Sequence, residues 1–130
     1  MNVLMSSKPI VTREDSLKAR ALQILNLRYL VEPDIKGSYK RRIFEYHPDK
    51  HPEAKNNPDK LEKYQNRMKV INQAHELLLA LLHGIKINLS NYSLLENTGL
   101  VRSVLPQNVK PVPLGKTELE LWKDKYENMI

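Results

Sequence analysis

His47, Pro48 and Asp49 stand side by side in this chain, with His51 two positions beyond. An imidazole beside a carboxylate can serve as a general acid/base pair, but such a pair needs a pocket and companions. The sequence offers no nucleophile placed for it, no glycine-rich phosphate loop and no second carboxylate cluster. No catalytic residue is assigned, and an enzyme is not expected. His47, Asp49 and His51 could instead ligate a metal at alternate positions. That pattern lacks the usual remote ligand, and Pro48 and Pro52 restrict its geometry, so neither a metal nor another cofactor is expected. Taken alone, the tripeptide reads best as a polar turn in which Asp49 bonds to nearby backbone.

The elements around it change that reading. Proline lacks an N–H and forces its predecessor out of the helical region, so Pro48 stops one helix and presents His47 and Asp49 at the bend. The helix before it opens at Glu32-Pro33-Asp34, where proline suits the first turn and the acids complement the dipole, and it runs to about Tyr46. Residues 47–57 form a polar loop. Asn57 then caps a third helix with Pro58 at its first position, Leu61, Tyr64, Met68, Ile71, Ala74, Leu78 and Leu82 on one face, and Gly84 as its stop. Upstream, Leu17, Ala21, Leu22, Ile24, Leu25 and Leu27 repeat with helical spacing and predict a helix over residues 13–28. Thr12 with Asp15 caps its start, and Asn26 is a fraying point near its end.

Order is weaker beyond Gly84. Ile85, Ile87 and Leu89 alternate like a short strand without an evident partner. Ser93 to Leu105 holds a weak helix interrupted by Gly99. Pro106, Pro111 and Pro113 argue for an extended stretch. Thr117 with Glu120 makes a capping box for a last helix, whose Leu119, Trp122, Tyr126 and Met129 share a face. The expected fold class is all-α: an antiparallel helical hairpin with a shorter N-terminal helix, plus an extension ending in a helix. The organisation is a tail over residues 1–12, a domain over 13–84 and an extension over 85–130.

Composition narrows the setting. The chain has 130 residues, no cysteine and a formal net charge of +6. Disulfides and thiolate metal sites are excluded, and the charge favours an acidic partner surface, nucleic acid or anionic lipid without choosing among them. No apolar run approaches the roughly 18 residues that span a bilayer. Met1 to Val11 has no long apolar core like that of a secretory signal. A cytoplasmic protein without a membrane span is expected.

On a helical wheel of the second helix, Ile35, Tyr39, Ile43 and Tyr46 fall in one arc that should pack on the first and third helices. Lys36, Lys40 and Arg41 lie opposite, with Phe44 among them. Arg42 falls at the edge of the apolar arc and is expected to bury its stem and extend its charge to water. A basic solvent face is common on small helices, but an apolar ring amid three cations suggests a contact surface.

From Ile35 through Lys36, Gly37, Ser38, Tyr39, Lys40, Arg41, Arg42, Ile43, Phe44, Glu45 and Tyr46 to His47-Pro48-Asp49-Lys50, the chain resembles the second helix and loop of the J-domain family, the DnaJ-like co-chaperones. Met68 to Leu78 looks like that family's third helix, and Ala21 to Leu27 is similar to its first. The resemblance covers about residues 13–84. It implies a module that binds a DnaK-type chaperone ATPase and stimulates ATP hydrolysis there, hydrolysing nothing itself. By position, Lys36, Lys40 and Arg41 match residues that dock on an acidic patch of the ATPase. Phe44 matches an apolar contact position. His47, Pro48 and Asp49 match the loop that reaches the ATPase near its interdomain linker, and Lys69 on the third helix matches a further contact.

The chain also departs from the family. Gly37 inside a helix costs up to about 1 kcal/mol relative to alanine. Arg42 stands where an apolar residue is usual. Met68 and His75 stand where aromatics are frequent, and His75 is expected to be a core-edge histidine. The family's short basic fourth helix is not evident after Gly84, nor are glycine/phenylalanine-rich or zinc-binding regions. The final amphipathic face is expected to pack back on the domain; the alternative is a client or adaptor contact through residues 116–130. Rival functions are an iron–sulfur-assembly J-protein, on a faint likeness at Ile71 to Ala74 and Leu82 to Gly84, and a basic nucleic-acid-binding adaptor. Nucleic acid is the weaker reading, because aromatics on the basic face are sparse.

Overall fold

Each helix begins where a side chain or a proline satisfies its first turn. In the computed structural model, which describes residues 12–126, Thr12 caps α1 (Arg13–Leu25) by accepting the Asp15 N–H at 3.0 Å. Pro33 sits in the first turn of α2 (Glu32–Tyr46). Asn57 caps α3 (Pro58–Leu82) through the Lys60 N–H at 3.2 Å. Gly84 follows α3 at φ 69°, a conformation that favours glycine. The tail expected over 1–12 lies outside the described residues except for Thr12, and so does Met129.

α1 ends at Leu25, three residues short of the predicted 28. Asn26 adopts the left-handed conformation, φ 56° and ψ 48°. The Leu27 N–H then reaches back to the Leu22 carbonyl at 2.9 Å and the Asn26 N–H to that of Gln23 at 3.1 Å. Arg42 Nε donates to the Ile24 carbonyl at 3.0 Å and Ser38 Oγ donates to that of Leu25. All four carbonyls that a helix end leaves over thus find donors, two of them from α2. This corrects the expectation for Arg42. Its charge does not reach out to water: Nη1 pairs with Glu45 and Nη2 donates to the Val104 carbonyl.

α2 and α3 are antiparallel. Glu32 lies 3.6 Å from His83, Tyr39 stacks on His75 at 4.0 Å, and Tyr46 meets Tyr64 at 6.1 Å, so position rises along one helix as it falls along the other. α1 packs across α3. The shared core takes Leu17, Ala21, Ile24 and Leu25 from α1, Ile35 from α2, and Val70, Ile71, Ala74, Leu77 and Leu78 from α3. Tyr39, Ile43 and Tyr46 pack against it half-buried, as the wheel requires. The described residues form an all-α fold.

The extension completes this core. No strand forms at Ile85, Ile87 and Leu89, since no edge lies beside them. Residues 85–88 are irregular and lead into a 3-10 turn, Leu89–Tyr92. The weak helix expected over Ser93 to Leu105 is two, α4 (Ser93–Glu96) and α5 (Thr98–Ser103). The break falls at Asn97, not Gly99, because Asn97 leaves the helical region and caps α5 through the Leu100 N–H at 3.0 Å. Tyr92, Leu95, Val101 and Val104 are buried against α3 and α1.

Pro106 opens a turn, with the Val109 N–H on its carbonyl at 2.9 Å, and only residues 109–116 of the proline-rich segment then run extended along α1 in the opposite direction. Gln23 donates to the Lys110 carbonyl at 2.9 Å and accepts the Val112 N–H at 3.0 Å. Arg20 donates to the carbonyls of Val112 at 2.7 Å and Leu95 at 2.9 Å and to Thr98 Oγ1 at 3.0 Å. Ser16 accepts the Gly115 N–H at 3.0 Å. Arg13 donates to the Gly115 carbonyl at 2.7 Å and pairs with Glu96 at 2.9 Å. Residues 13, 16, 20 and 23 form one polar stripe that reads backbone.

The last helix, α6 (Glu118–Tyr126), starts at the capping Thr117, which accepts the Glu120 N–H at 3.2 Å. Its expected packing is not found. Leu119 is 62% and Trp122 59% exposed, and Tyr126 is exposed as well. The helix is tethered along its other edge, where Arg13 takes Glu120 at 3.4 Å and Lys116 takes Asp124; both acids stay about half exposed, so α6 lies on the surface with its apolar face free of the core.

Arg20 is 2% exposed, and each of its three nitrogens donates a hydrogen bond. Burial, then the neighbouring Arg13 charge, pushes its pKa down against the pull of Glu96. Arg20→Met leaves two carbonyls without donors and should cost roughly 3 kcal/mol in urea denaturation. A loss under about 1 kcal/mol, the worth of one ordinary hydrogen bond, overturns this account of the strap.

Candidate functional site

The sequence-predicted contact residues lie along the outer face of α2 and on the turn after it. Lys36, Lys40 and Arg41 are exposed, and Phe44 is 58% exposed. Lys36 is 3.3 Å from Glu32, one turn earlier in the favourable order. Among the described residues no carboxylate pairs with Lys40 or Arg41. Lys69 is exposed on α3, between the levels of the Tyr39–Asn72 and Tyr46–Tyr64 contacts. It stands on the neighbouring helix, apart from the α2 row.

The turn is built by proline and capped by histidine. His47 is extended, φ −67° and ψ 140°, as a residue before proline must be. Pro48–Lys50 closes as a 3-10 turn, with the Lys50 N–H on the His47 carbonyl at 2.9 Å and the His51 N–H on that of Pro48 at 3.1 Å. His47 Nδ1 accepts the Asp49 N–H at 3.2 Å. A nitrogen that accepts has no proton to give to the Asp49 carboxylate, 3.6 Å away. The carboxylate is therefore not engaged by His47, and its side chain is 77% exposed.

His51 faces the other way. Its ring stacks on Tyr64 at 4.3 Å, Nε2 meets the Glu45 carbonyl at 2.5 Å and Nδ1 lies 3.4 Å from Glu53. Among the described residues no three His, Cys, Asp or Glu side chains converge as a metal site requires. Arg67 lies over both Tyr46 and Tyr64, at 5.5 and 5.9 Å, and Ala54 is buried beneath the loop. This stack of cation and rings braces the bend from below. A cleft of about 960 Å³ lies between Thr12–Glu14, residues 86–89 and residues 116–121; neither His47 nor Asp49 lines it.

Sequence reasoning missed three contributors. Lys50 stands 5.4 Å over the Phe44 ring and joins loop to helix. Tyr64 with Arg67 fixes His51. Arg42 ties α2 to the extension. The cation three residues after an aromatic on α3 was the available signal for the second of these.

No protein-family model, no curated protein and no solved structure matches the chain. Among the described residues no helix is long and apolar enough to cross a membrane.

His75 supports α2 from below. It stacks on Tyr39, whose hydroxyl donates to Asn72 at 2.5 Å, and its Nε2 is buried without a hydrogen-bond partner. Burial pushes its pKa below the ordinary 6.5, with Glu76 opposing and Lys36 adding to the shift. The unfolded chain takes up this proton at higher pH than the folded one. The neutral ring's contribution is thus complete above pH 6.5 and is lost as pH falls from there towards the folded value. Urea denaturation at neutral pH and at about pH 5 should show a smaller loss for His75→Phe than for wild type. Equal losses overturn the assignment.

Proposed function

We propose that this protein is a co-chaperone that binds a DnaK-type chaperone ATPase through α2 and the His-Pro-Asp turn and stimulates its ATP hydrolysis. In this reading it hydrolyses nothing itself and needs no cofactor. One observation carries it: a row of exposed cations on α2 leads to an exposed carboxylate on a short, proline-fixed turn. Lys36, Lys40 and Arg41, with Lys69 on the neighbouring helix, steer the module to an acidic surface, a contribution that weakens with salt. Phe44 supplies the apolar contact within that rim. Asp49, unengaged at home, accepts a charge-assisted bond from a basic group of the ATPase. If that bond forms in only one state of the ATPase, it shifts the partner towards hydrolysis. His47 and Pro48 hold the carboxylate in place.

A nucleic-acid adaptor accounts for the cations but leaves Asp49 without a role, since a carboxylate at the tip repels phosphate. An iron–sulfur-assembly role uses the same docking and differs only in the client. A cytoplasmic location fits both the partner and a cysteine-free chain. The outward face of α6, within residues 116–130, is the place for a client or adaptor.

Single-turnover ATPase assays with candidate DnaK-type partners test the proposal. Wild type should accelerate hydrolysis, and Asp49→Asn or His47→Gln should lose the acceleration by about tenfold or more, the worth of a charged hydrogen bond. Lys40→Glu with Arg41→Glu should raise the concentration needed, most at low salt. Full stimulation by Asp49→Asn removes the basis for the proposal.

A further inference from the structure

We infer that Arg42 is a positioning residue through which the C-terminal extension controls how Asp49 is presented. The guanidinium is a rigid fork, and here each of its nitrogens has a different acceptor. Nε serves the Ile24 carbonyl of α1, Nη1 the Glu45 carboxylate within α2, and Nη2 the Val104 carbonyl of the extension. Only 19% of the side chain is exposed. Three segments of the chain therefore fix one group on the docking helix.

The connection continues to the bend. Glu45 is the penultimate residue of α2, so its carbonyl has no partner within the helix. That carbonyl is met by His51 Nε2, and the His51 N–H closes the turn onto Pro48. Arg42 holds the Glu45 side chain and His51 holds its carbonyl. Moving Val104 moves Arg42, Glu45, His51 and the turn in sequence. Arg20 offers the contrasting case. It binds the extension with three hydrogen bonds, to Leu95, Thr98 and Val112, and none of them goes to α2 or the loop.

Hydrogen exchange on the full chain, at a temperature well below the melting point of every variant, separates coupling from general weakening. Arg42→Met should speed exchange of the Lys50 and His51 amides by about tenfold, the factor for one or two lost hydrogen bonds. Arg42→Lys should act in the same direction, because an ammonium does not span three fixed acceptors. Arg20→Met removes the bonds to Leu95, Thr98 and Val112 but keeps the Val104 bond to Arg42, and should leave those two amides unchanged. The coupling is overturned if Arg42→Met leaves them unchanged, or if Arg20→Met moves them equally.

The functional half of the inference rests on the co-chaperone reading. With a responsive DnaK-type ATPase, Arg42→Met should lower the maximal stimulation and keep the half-maximal concentration, since the α2 cations remain. A loss no greater than that of Arg20→Met overturns control of the site. If wild type stimulates no such ATPase while exchange behaves as stated, the co-chaperone reading fails and the coupling stands.

Discussion

A guanidinium leaves water only when its N–H groups find acceptors elsewhere. That rule governs how the C-terminal third of this protein is attached. Arg13 and Arg20 spend their donors on oxygens of the extension, Arg42 gives it one of its three nitrogens, and Arg20 is almost fully enclosed by doing so. The acceptors are mostly backbone. A segment with prolines has more carbonyls to offer than N–H groups to satisfy, which suits it to lie against a row of donors. The helical hairpin and its extension therefore share one core and one set of polar ties.

Those ties also shape the outward field. Four basic residues punctuate α2 at 36, 40, 41 and 42, yet the surface does not carry four equal charges. Arg42 is turned inward and Lys36 stands near Glu32. Lys40 and Arg41 are the cations left unmatched, and the negative point at Asp49 lies beyond them on the bend. A patch of this kind has direction, positive along the helix and negative at its end, and direction is what fixes the register of a docked partner.

Much of the helical frame was legible, because caps and breakers act locally. Thr12, Asn57, Pro33, Pro58, Gly84 and Thr117 each mark a boundary that the fold uses. Asn26 was less legible: the same residue frays one helix and ends another in a left-handed turn, and only its neighbours decide. The exposed row on α2 followed from the wheel. The polar stripe 13, 16, 20 and 23 was not legible, since nothing local says that a segment about ninety residues away will lie upon it. For the same reason Val70 and Leu77, off the expected apolar face of α3, are buried by segments that sequence periodicity could not pair with them.

The only tryptophan of the chain is Trp122, and it stands in solvent on α6, outside the common core. An indole so placed is expected to emit as a largely hydrated one in the native state and to change little when the core melts. Loss of the helical far-ultraviolet signal is thus the proper measure of unfolding for this protein. The indole is left as a built-in optical reporter for whatever settles on the last helix.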